Sequence, residues 1–357
     1  MTSLYDPLTA GDLELANRVV MAPLTRSRAG DGMVPTDLNV EYYRQRAGAG
    51  LIIAEGTQPS AVGQGYMDTP GLHTDEQAQG WRAVGEAVHR AGGRIVVQLM
   101  HVGRIAHPAN KNGLETVSAS AVAAPGQILT PAGMADHPTP RALEPDELAG
   151  VVAEFVDASR RAVAAGLDGV ELHSANGYLL HQFLSPASNV RTDGYGGSPA
   201  ARARFVVEVA QAVAAEIGAG RVGIRISPAN GAGGTAETDA ADVAATYGAL
   251  VDGLRPLGLA YLHVLGDPHA ELTHDLRARF GGTFMVNSGF AALTSQDEAE
   301  ELVAGGHADL VSVGRMFIAN PDLVTRWRHG ADVNEPDPST FYGGGPEGYT
   351  DYPALAS

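Results

Sequence analysis

The feature that most constrains this chain is an eightfold alternation of short apolar segments with longer segments of helical periodicity. The short segments are almost continuously apolar and rich in β-branched residues, which is typical of parallel strands buried on both faces. They lie at 18–23, 51–55, 94–99, 169–174, 222–227, 259–265, 283–288 and 309–315. The helical segments lie at 36–49, 74–91, 145–166, 198–218, 237–254, 270–280, 294–304 and 320–329. Eight strand–helix pairs of similar length predict an α/β fold, the closed (β/α)8 TIM barrel.

A doubly wound sheet is the alternative fold, because it is built from the same alternation. Its strongest support is a loose Gly-x-Gly-x-x-Ala pattern at 231–236. That pattern does not follow a strand directly, since residues 227–230 intervene, and no acidic residue ends the next strand at the expected distance. Nothing breaks the series of strands into two halves. We therefore predict a single barrel domain over residues 1–357.

Three segments lie outside the repeat. Residues 8–15 are expected to form a small N-terminal hairpin. Residues 101–143 form a long excursion after the third strand, rich in Pro, Gly, Ala and Ser, and a loop of that length is usually functional; we expect it to lie over the barrel mouth. Residues 332–357 have no helical period and are expected to pack back over the barrel.

Two residues are read as helix boundaries. Thr294 is expected to open a helix that has Asp297 and Glu298 in its first turn, where acidic side chains favour the helix dipole. Gly166 is expected to end the helix before the fourth strand. Both assignments support the alternation of strands with helices.

Composition narrows the possible functions. The net charge is −17 and the basic residues are scattered, so neither a nucleic-acid surface nor a basic membrane-binding face is expected. No stretch approaches the length of a membrane span and the N-terminus lacks the pattern of a signal peptide, so we expect a soluble, cytoplasmic protein. The charge therefore favours small-molecule partners. The chain has no cysteine, which excludes disulfides, cysteine nucleophiles, cysteine-bound zinc and cysteine-ligated iron–sulfur clusters. Redox chemistry would require an organic cofactor.

Lys111 is the only lysine of the chain. It lies in a stretch rich in Gly, Pro and Asn, which is a loop and not the end of a strand. The sequence therefore argues against a Schiff-base aldolase, which needs a lysine at a strand end of such a barrel.

The active site of a TIM barrel lies where the C-terminal ends of its strands meet. Glycine backbone and an arginine at the last two strand ends match the usual phosphate-binding position of such barrels, which indicates a phosphorylated cofactor or substrate. A flat ring across the mouth would need a hydroxyl donor, an amide and a cation, and Thr25, Gln98 and Arg225 supply them. The residues found at the strand ends are Pro23, Leu24, Thr25, Glu55, Gly56, Gln98, His173, Arg225, Ser288, Gly289, Gly314 and Arg315.

The end of the fourth strand is the most informative stretch. His173 and Asn176 are three residues apart, so a turn can direct both side chains to one point, and Tyr178 is close enough to approach it from another side. Two nitrogen donors could then hold one substrate oxygen. A His-x-x-Asn pattern alone is more often structural, but its position at a strand end favours a functional role.

Six segments of the chain resemble the old yellow enzymes, and the similarity runs from about residue 4 to residue 353. They are residues 21–26, 41–47, 181–186, 189–198, 341–345 and 348–353. The resemblance implies an FMN bound at the barrel mouth and reduced by NADPH or NADH. It implies hydride transfer from flavin N5 to the β-carbon of an electron-poor alkene. Enones, maleimides, nitro compounds and nitrate esters are the substrates that this family suggests.

The resemblance also assigns roles to residues of this sequence. Thr25 would lie near the C4 carbonyl of the flavin, Gln98 and Arg225 would hold its pyrimidine side, and His173 and Asn176 would donate to the carbonyl or nitro oxygen of the substrate. Tyr178 would protonate the α-carbon. Further cofactor-binding residues would be Pro23, Leu24, Gly56, His173, Ser288, Gly289, Gly314 and Arg315, and further substrate-binding residues would be Thr25, Tyr66 and Met100.

The sequence says less about the branch of the family and about the substrate than about the cofactor. Thr25 stands where another branch of the family carries cysteine, which indicates the branch of the yeast enzyme and of the pentaerythritol tetranitrate and N-ethylmaleimide reductases. Met100 stands where relatives often have a large aromatic residue, and Asn176 is one of two residues that the family allows. The physiological substrate, the pathway, the preference for NADPH or NADH, and the choice between monomer and homodimer stay open.

Two other functions are compatible with the sequence. The first is a flavin-free, metal-dependent lyase or isomerase that uses Glu55, Glu171 and His173. It has little support, because three convergent ligands are not apparent at the strand ends, and no metal is expected. The second is a flavoprotein that serves as a ligand-binding or redox-sensing module with slow turnover. The proton donor Tyr178 argues against it, since a binding module has no need of one.

Overall fold

Eight parallel strands, hydrogen-bonded in chain order, form a closed barrel in the computed structural model, which describes residues 2–290 and 293–355. The last strand pairs with the first, so the sheet has no free edge. The predicted TIM barrel is therefore confirmed. The strands are β1 (Val19–Met21), β2 (Leu51–Thr57), β3 (Ile95–Leu99), β4 (Gly169–Ser174), β5 (Val222–Ile226), β6 (Tyr261–Leu265), β7 (Phe284–Asn287) and β8 (Leu310–Val313).

Helices surround this barrel and follow the strands in the predicted alternation. Their buried faces carry the apolar residues of the periodic segments, such as Trp81 and Val84, which are fully buried. The helices are α1 (Asp37–Gln45), α2 (Asp75–Arg90), α3 (Leu148–Ala164), α4 (Leu179–Leu184), α5 (Pro199–Ile217), α6 (Ala240–Leu254), α7 (Glu271–Phe280), α8 (Gln296–Ala304), α9 (Arg315–Ala319) and α10 (Leu323–His329).

Some predicted boundaries were wrong. The segment 320–329 is not one helix: α9 begins at Arg315, inside the predicted eighth strand, and α10 begins at Leu323. Pro321 separates them, because the residue before a proline is disfavoured in helical conformation, and Asn320 has φ −127° and ψ 88°. The helix cap is Ser295 and not Thr294, since the Ser295 hydroxyl accepts from the backbone N–H of Glu298.

The N-terminal hairpin is present as predicted and pairs Leu8–Ala10 with Leu13–Leu15. Its turn requires glycine, because Gly11 has φ +57° and a Cβ there would lie 2.5 Å from the carbonyl oxygen of Gly220. Residues Ala10, Leu13 and Leu15 pack against apolar side chains near the starts of the barrel strands. The hairpin therefore covers the end of the barrel opposite the strand C-termini.

The excursion after β3 contains two small sheets. One is a hairpin of Gln127–Thr130 with Gly133–Asp136, and the other pairs Val117–Ser118 with Arg141–Ala142. Asn110 ties the hairpin to the segment after β2, since its side-chain nitrogen donates to the carbonyls of Gly65 and Leu129 at 2.9 Å each. The excursion is thus an ordered structure beside the barrel mouth.

The C-terminal tail packs on the barrel, as predicted, over the residues that the structure describes; residues 356–357 and residue 1 lie outside that part. The Arg26 guanidinium donates to the carbonyls of Phe341 and Gly348 at 2.9 and 2.8 Å. The Tyr349 ring is fully buried and stacks on Tyr42 of α1 with ring centroids 4.1 Å apart. The tail is thereby tied to the segment after β1 and to α1.

Candidate active site

A cavity of about 330 Å³ opens at the C-terminal ends of the barrel strands. Its size is in the range of ligand sites, which hold roughly 300–1,000 Å³. Most of the predicted site residues meet in its lining: Pro23, Leu24, Thr25, Gly56, Gln98, Met100, His173, Asn176, Tyr178, Arg225, Gly289, Gly314 and Arg315. They come from seven of the eight strand ends, so the barrel brings together residues that are far apart in the sequence.

Two residues assigned to the site from the sequence lie outside the cavity lining. Ser288 does not line the cavity, whereas the preceding Asn287 does. The strand β7 ends at Asn287, whose side-chain oxygen accepts from the Gly289 N–H at 3.2 Å and whose nitrogen donates to the Ser312 carbonyl at 2.8 Å. Tyr66 lines an adjoining groove and not the cavity itself. It still reaches the site, through a hydrogen bond to Tyr178.

Other lining residues were not assigned from the sequence. Phe341 and Tyr342 belong to the tail motif of the resemblance, and Thr294 was read only as a helix cap. An Asn-x-Gly sequence at the end of β7 is the signal that would have indicated Asn287, since Asn in that position often accepts from the second following N–H. The additional lining residues are Ala22, Asn287, Phe290, Leu293, Thr294, Ile318, Phe341 and Tyr342.

The end of β2 is shaped by an irregularity in its pairing. The register between β2 and β3 shifts between Ala54 and Thr57, so Gly56 lies in a bulge, a feature often found beside active sites. A Cβ at Gly56 would lie 2.5 Å from Cε and 2.6 Å from Sδ of Met100. Glycine therefore allows the Met100 side chain to lie against this strand.

A buried hydrogen-bond chain orients Gln98. Its side-chain nitrogen donates to Oε1 of Glu171 at 2.8 Å, and Oε2 of Glu171 lies 2.8 Å from Nδ1 of His263. Gln98, Glu171 and His263 are at most 2% exposed. Because the amide nitrogen is directed at Glu171, the amide oxygen is the group left to accept a hydrogen bond from a ligand.

Arg225 places a positive charge beside this chain. It lies on β5, directly across from His173 on β4. Its side chain is buried, and within residues 2–290 and 293–355 its Nε has no hydrogen-bond partner. Burial lowers the pKa of Arg225, opposed by the nearby Glu171, and the guanidinium stays charged at neutral pH. A buried cation with an unused donor suits a ligand that carries or develops negative charge.

The turn after β4 has an unusual backbone. Asn176 has φ +57°, a conformation that Asn tolerates better than most residues, and its N–H donates to the Ser227 hydroxyl at 2.8 Å. Gly177 has φ +83°, and a Cβ there would lie 2.5 Å from the Ala232 carbonyl oxygen. Tyr178 is the N-cap of the short helix α4, which the sequence did not predict. The turn directs His173, Asn176 and Tyr178 into one cavity.

A second buried network supports this turn. The Gly177 N–H donates to Nδ1 of His181 at 3.0 Å, so the proton of the neutral imidazole must be on Nε2, which lies 3.1 Å from Oε1 of Glu237. The Tyr247 hydroxyl also donates to Glu237 at 3.1 Å, and the Ala229 N–H donates to its other oxygen at 2.8 Å. His181 and Glu237 are 56 residues apart, so no local sequence pattern could pair them.

Burial sets the protonation of the two rings in the cavity. The His173 and Tyr178 rings meet edge to face with centroids 4.8 Å apart. Burial lowers the pKa of His173 well below its usual value, with a contribution from Arg225, and raises the pKa of Tyr178 well above its usual value. At neutral pH the imidazole is therefore neutral and the phenol keeps its proton. The Tyr178 hydroxyl lies 2.9 Å from that of Tyr66.

The metal-dependent alternative is not favoured by the positions of its carboxylates. Glu55 accepts from the Arg26 N–H and the Tyr43 hydroxyl, both at 3.2 Å, and faces these groups instead of the cavity. Glu171 is engaged by Gln98 and His263. Among residues 2–290 and 293–355, no group of three metal-ligating side chains with suitable spacing includes Glu55, Glu171 or His173.

The whole chain is similar to known reductases. The sequence profile of the NADH:flavin oxidoreductase / NADH oxidase family matches residues 3–334. The chain belongs to this family. A putative 12-oxophytodienoate reductase 2 from Oryza sativa subsp. japonica is 42% identical over 99% of this chain and 94% of its own length. A chanoclavine-I aldehyde reductase from Penicillium roqueforti (strain FM164) is 41% identical over 99% of this chain and 96% of its own.

Solved structures agree with this placement. Morphinone reductase in complex with tetrahydroNAD superposes with a TM-score of 0.93 at 46% identity, covering 100% of this chain and 98% of that one. The old yellow enzyme homologue from Zymomonas mobilis gives a TM-score of 0.94 at 37% identity, covering 99% and 100%. The old yellow enzyme resemblance is confirmed, and the chain is an FMN-dependent, NAD(P)H-dependent oxidoreductase of the ene-reductase type.

The cavity fits an FMN. Within the described ranges, the buried atoms Nδ1 of His173, Oδ1 of Asn176 and Nε of Arg225 have no hydrogen-bond partner, and buried polar atoms are rarely left without one. At the far side of the cavity, a Cβ on Gly289 would meet no atom of residues 2–290 and 293–355 within 4 Å, and one on Gly314 would meet none of them nearer than 3.6 Å. The backbone there borders open space into which a phosphate group could fit.

Proposed function

We propose that this chain reduces the C=C bond of electron-poor alkenes at the barrel mouth, with His173 and Asn176 as substrate donors and Tyr178 as proton donor. One observation carries the proposal. The end of β4 and the turn after it direct these three side chains into the same cavity as the buried cation Arg225. Hydrogen-bond donors, a cation and an acid at one point are what the reduction of a polarised double bond requires.

For the cofactor, we assign Thr25, Gln98 and Arg225 to the ring and Gly289, Gly314 and Arg315 to the phosphate. FMN, when bound, supplies the hydride to the β-carbon of the alkene. The Gln98 amide, fixed by Glu171, would accept from the pyrimidine edge. The Arg225 guanidinium would stabilise negative charge on the ring, and its burial strengthens that interaction. Pro23, Leu24 and Gly56 would contact the flat surface of the ring.

For the substrate, the neutral His173 imidazole and the Asn176 amide would donate to one carbonyl or nitro oxygen. Both donors favour the enolate-like charge that develops on that oxygen as the β-carbon is reduced. Tyr178 would then protonate the α-carbon. Because burial raises the pKa of Tyr178, the phenol holds its proton until strongly basic carbanion character appears.

The substrate is a small molecule, and the groove beside the cavity bears on its size. Tyr66, Ile128, Leu129 and Tyr342 line that groove, and Tyr178 borders both spaces. The relatives named above are reductases of 12-oxophytodienoate, chanoclavine-I aldehyde and morphinone. We infer that an activated alkene with a bulky apolar substituent is compatible with this chain, together with enones, maleimides, nitro compounds and nitrate esters.

Other assignments stay part of the proposal. Thr25 supports the branch of the pentaerythritol tetranitrate and N-ethylmaleimide reductases. The tail contacts with Arg26 and Tyr42 support one domain over the whole chain. None of the helices in the described residues has the length and hydropathy to cross a membrane. We propose a cytoplasmic enzyme, monomeric or homodimeric, that has no nucleic-acid or membrane partner.

The test begins with an absorbance spectrum of the purified protein. We expect the visible bands of bound flavin, their bleaching on anaerobic addition of NADPH, and their return on addition of 2-cyclohexenone. Bleaching without return would indicate a redox-sensing flavoprotein instead of an ene-reductase. A colourless protein that cannot be reconstituted with FMN would overturn the proposal.

A further inference from the structure

A group of imidazoles and one carboxylate lies on the outside of the barrel, between α7 and α8. His269 precedes α7, Glu301 lies on α8, and His307 follows α8. Nε2 of His269 lies 3.8 Å from Oε2 of Glu301, and Nε2 of His307 lies 3.6 Å from Oε1 of the same carboxylate. None of these residues lines the cavity at the mouth. The proposed alkene reduction makes no use of them.

The spacing of the three side chains suits a metal ion. One atom from each residue lies within 4.8 Å of the others. Zinc binds imidazole nitrogen and carboxylate oxygen at about 2.0–2.2 Å, so two tetrahedral ligand atoms lie about 3.4 Å apart. Each imidazole has one Glu301 oxygen within 0.4 Å of that value, and the two contacts use different oxygens of the carboxylate. Small side-chain rotations of the half-exposed His269 and Glu301 would close the remaining gap.

A fourth residue fixes the orientation of His307. Its Nδ1 lies 3.3 Å from Nε2 of His274, and the two rings are nearly parallel with centroids 5.4 Å apart. A hydrogen bond there, with the proton on Nδ1 of His307, leaves the Nε2 lone pair free for a metal. Metal-binding histidines usually have such a partner on the second nitrogen.

The backbone beside His307 leaves room for its ring. A Cβ on Gly305 would lie 2.9 Å from Cδ2 and 3.2 Å from Nε2 of His307, so a larger residue there would displace the imidazole. The His307 carbonyl accepts from Arg277, whose charge is also engaged by Asp309 at 2.9 Å. His274 therefore contacts the ring, Arg277 contacts its backbone, and Nε2 of His307 faces Glu301.

We propose that His269, Glu301 and His307 bind one divalent transition-metal ion, with His274 as the outer partner of His307. Two imidazoles and one carboxylate favour zinc, nickel or copper over magnesium or calcium, which prefer oxygen ligands only. A water molecule would complete the tetrahedron. The bound ion joins α7 to α8 and stabilises this side of the barrel, because a ligand that binds only the folded state raises its stability.

The test uses the FMN-loaded, tag-free protein and zinc chloride as the probe. Calorimetric titration should give one zinc site, and the melting temperature should rise with zinc but not with magnesium. In the double variant His269→Gln/His307→Gln the zinc site should be lost, while the flavin spectrum stays unchanged. His274→Ala should weaken zinc binding by about ten- to a hundredfold. His329→Gln, which removes an exposed histidine elsewhere, is the matched control and should bind zinc like the unchanged chain.

Two outcomes would overturn the proposal. One is the absence of saturable zinc binding to the unchanged chain. The other is retention of the same zinc affinity in His269→Gln/His307→Gln, which would place the ion elsewhere. Cobalt(II) gives an independent measurement, because tetrahedral coordination should produce a visible absorption that the double variant lacks and the His329→Gln control keeps.

Discussion

At the scale of single residues, burial separates the roles proposed for His173 and Tyr178. Both rings lie in one cavity and contact each other, yet the same desolvation acts in opposite directions on their pKa values. The imidazole loses its charge and can donate a hydrogen bond without adding a cation to the site. The phenol keeps its proton and can serve as an acid. Arg225 then supplies the permanent positive charge.

The proton donor is tested by Tyr178→Phe. Removal of the hydroxyl should leave flavin reduction by NADPH nearly unchanged and slow reoxidation by 2-cyclohexenone by about a hundredfold or more, as expected for loss of general acid catalysis. Stopped-flow absorbance measures the two half-reactions separately. Tyr195→Phe, which removes a hydroxyl bonded to Glu208 far from the cavity, is the matched control. A normal reoxidation rate in Tyr178→Phe would refute this role.

Glu55 predicts a pH dependence of stability. Burial raises its pKa from 4.5 to about 7 in the folded chain. The folded state therefore holds this proton more tightly than the unfolded state. The resulting stabilisation is fully present below about pH 4.5 and is lost as the pH rises to about 7, by about 3 kcal/mol in total.

Comparison of the unchanged chain with Glu55→Gln isolates this contribution. The free energy of urea unfolding of the unchanged chain should fall between pH 5 and pH 7.5 relative to that of the variant. Asp12→Asn, an exposed carboxylate on the N-terminal hairpin turn, controls for the general effect of charge removal. Parallel pH profiles for Glu55→Gln and the unchanged chain would mean that Glu55 titrates normally.

The sequence predicted the site residues that lie at the C-terminal ends of the barrel strands. Thr25, Gln98, His173 and Arg225 each follow a β-branched apolar segment, and a closed barrel brings all such ends together. Ser288 lies outside the cavity lining because β7 ends at Asn287, one residue earlier than predicted from the sequence.

The supporting partners of the site residues could not be predicted. Glu171 contacts Gln98 and His263, which are 73 and 92 residues away in the chain. No spacing rule connects such distant positions, and only the register of the folded barrel brings them into contact.

At the scale of elements, the turn between β4 and α4 depends on a strut formed by His181, Glu237 and Tyr247. At one end of this strut, His181 accepts from the Gly177 N–H on the turn. At the other end, Glu237 accepts from the Ala229 N–H in the loop after β5. Because the turn carries Asn176 and Tyr178, its position sets the distance of both side chains from the substrate. A small displacement of a reacting group can cost a large factor in rate.

The strut is tested by Glu237→Gln. Replacement of one carboxylate oxygen by NH2 leaves too few acceptors for the His181, Tyr247 and Ala229 donors. We expect reoxidation by 2-cyclohexenone to slow by about ten- to a hundredfold, with flavin reduction and the flavin spectrum preserved. Glu208→Gln is the control, since Glu208 also accepts from a tyrosine but lies on the outside of α5. Equal slowing of both half-reactions would point to general loss of structure.

Element boundaries were less predictable than element order. The missed helix α4 is only six residues long, too short for a periodic signal to emerge. The split of the last predicted helix follows from Pro321, whose local effect outweighs the continuing apolar pattern. The alternation of strand and helix, in contrast, is repeated eight times, so single errors did not alter the predicted fold.

At the scale of the whole molecule, the C-terminal tail packs on the segment after β1 and on α1. Tyr349 packs between Tyr42 and the guanidinium groups of Arg26 and Arg28, and its hydroxyl accepts from Asn39 at 3.1 Å. The same tail contributes Phe341 and Tyr342 to the cavity lining. Stability of the tail and completeness of the site are therefore coupled.

This coupling is tested by Tyr349→Ala. Loss of a fully buried aromatic side chain should lower the free energy of unfolding by about 3–5 kcal/mol and weaken FMN retention, because Phe341 and Tyr342 lose their anchor. Urea unfolding and flavin release on dilution measure the two effects. Tyr352→Ala, a half-buried tyrosine of the same tail, should have a smaller effect on both. An unchanged unfolding free energy in Tyr349→Ala would contradict the anchoring role.

The pairing of β8 with β1 has a consequence for how the chain is made. Residues 19–21 pair with residues 311–313, so one edge of the first strand stays open until residues 311–313 have been synthesised. Unpaired strand edges are templates for aggregation, and contacts between distant residues slow folding. Until that point of synthesis, the nascent chain contains an incomplete sheet. We expect its yield in cells to depend on chaperones and on growth temperature more than its final stability would indicate.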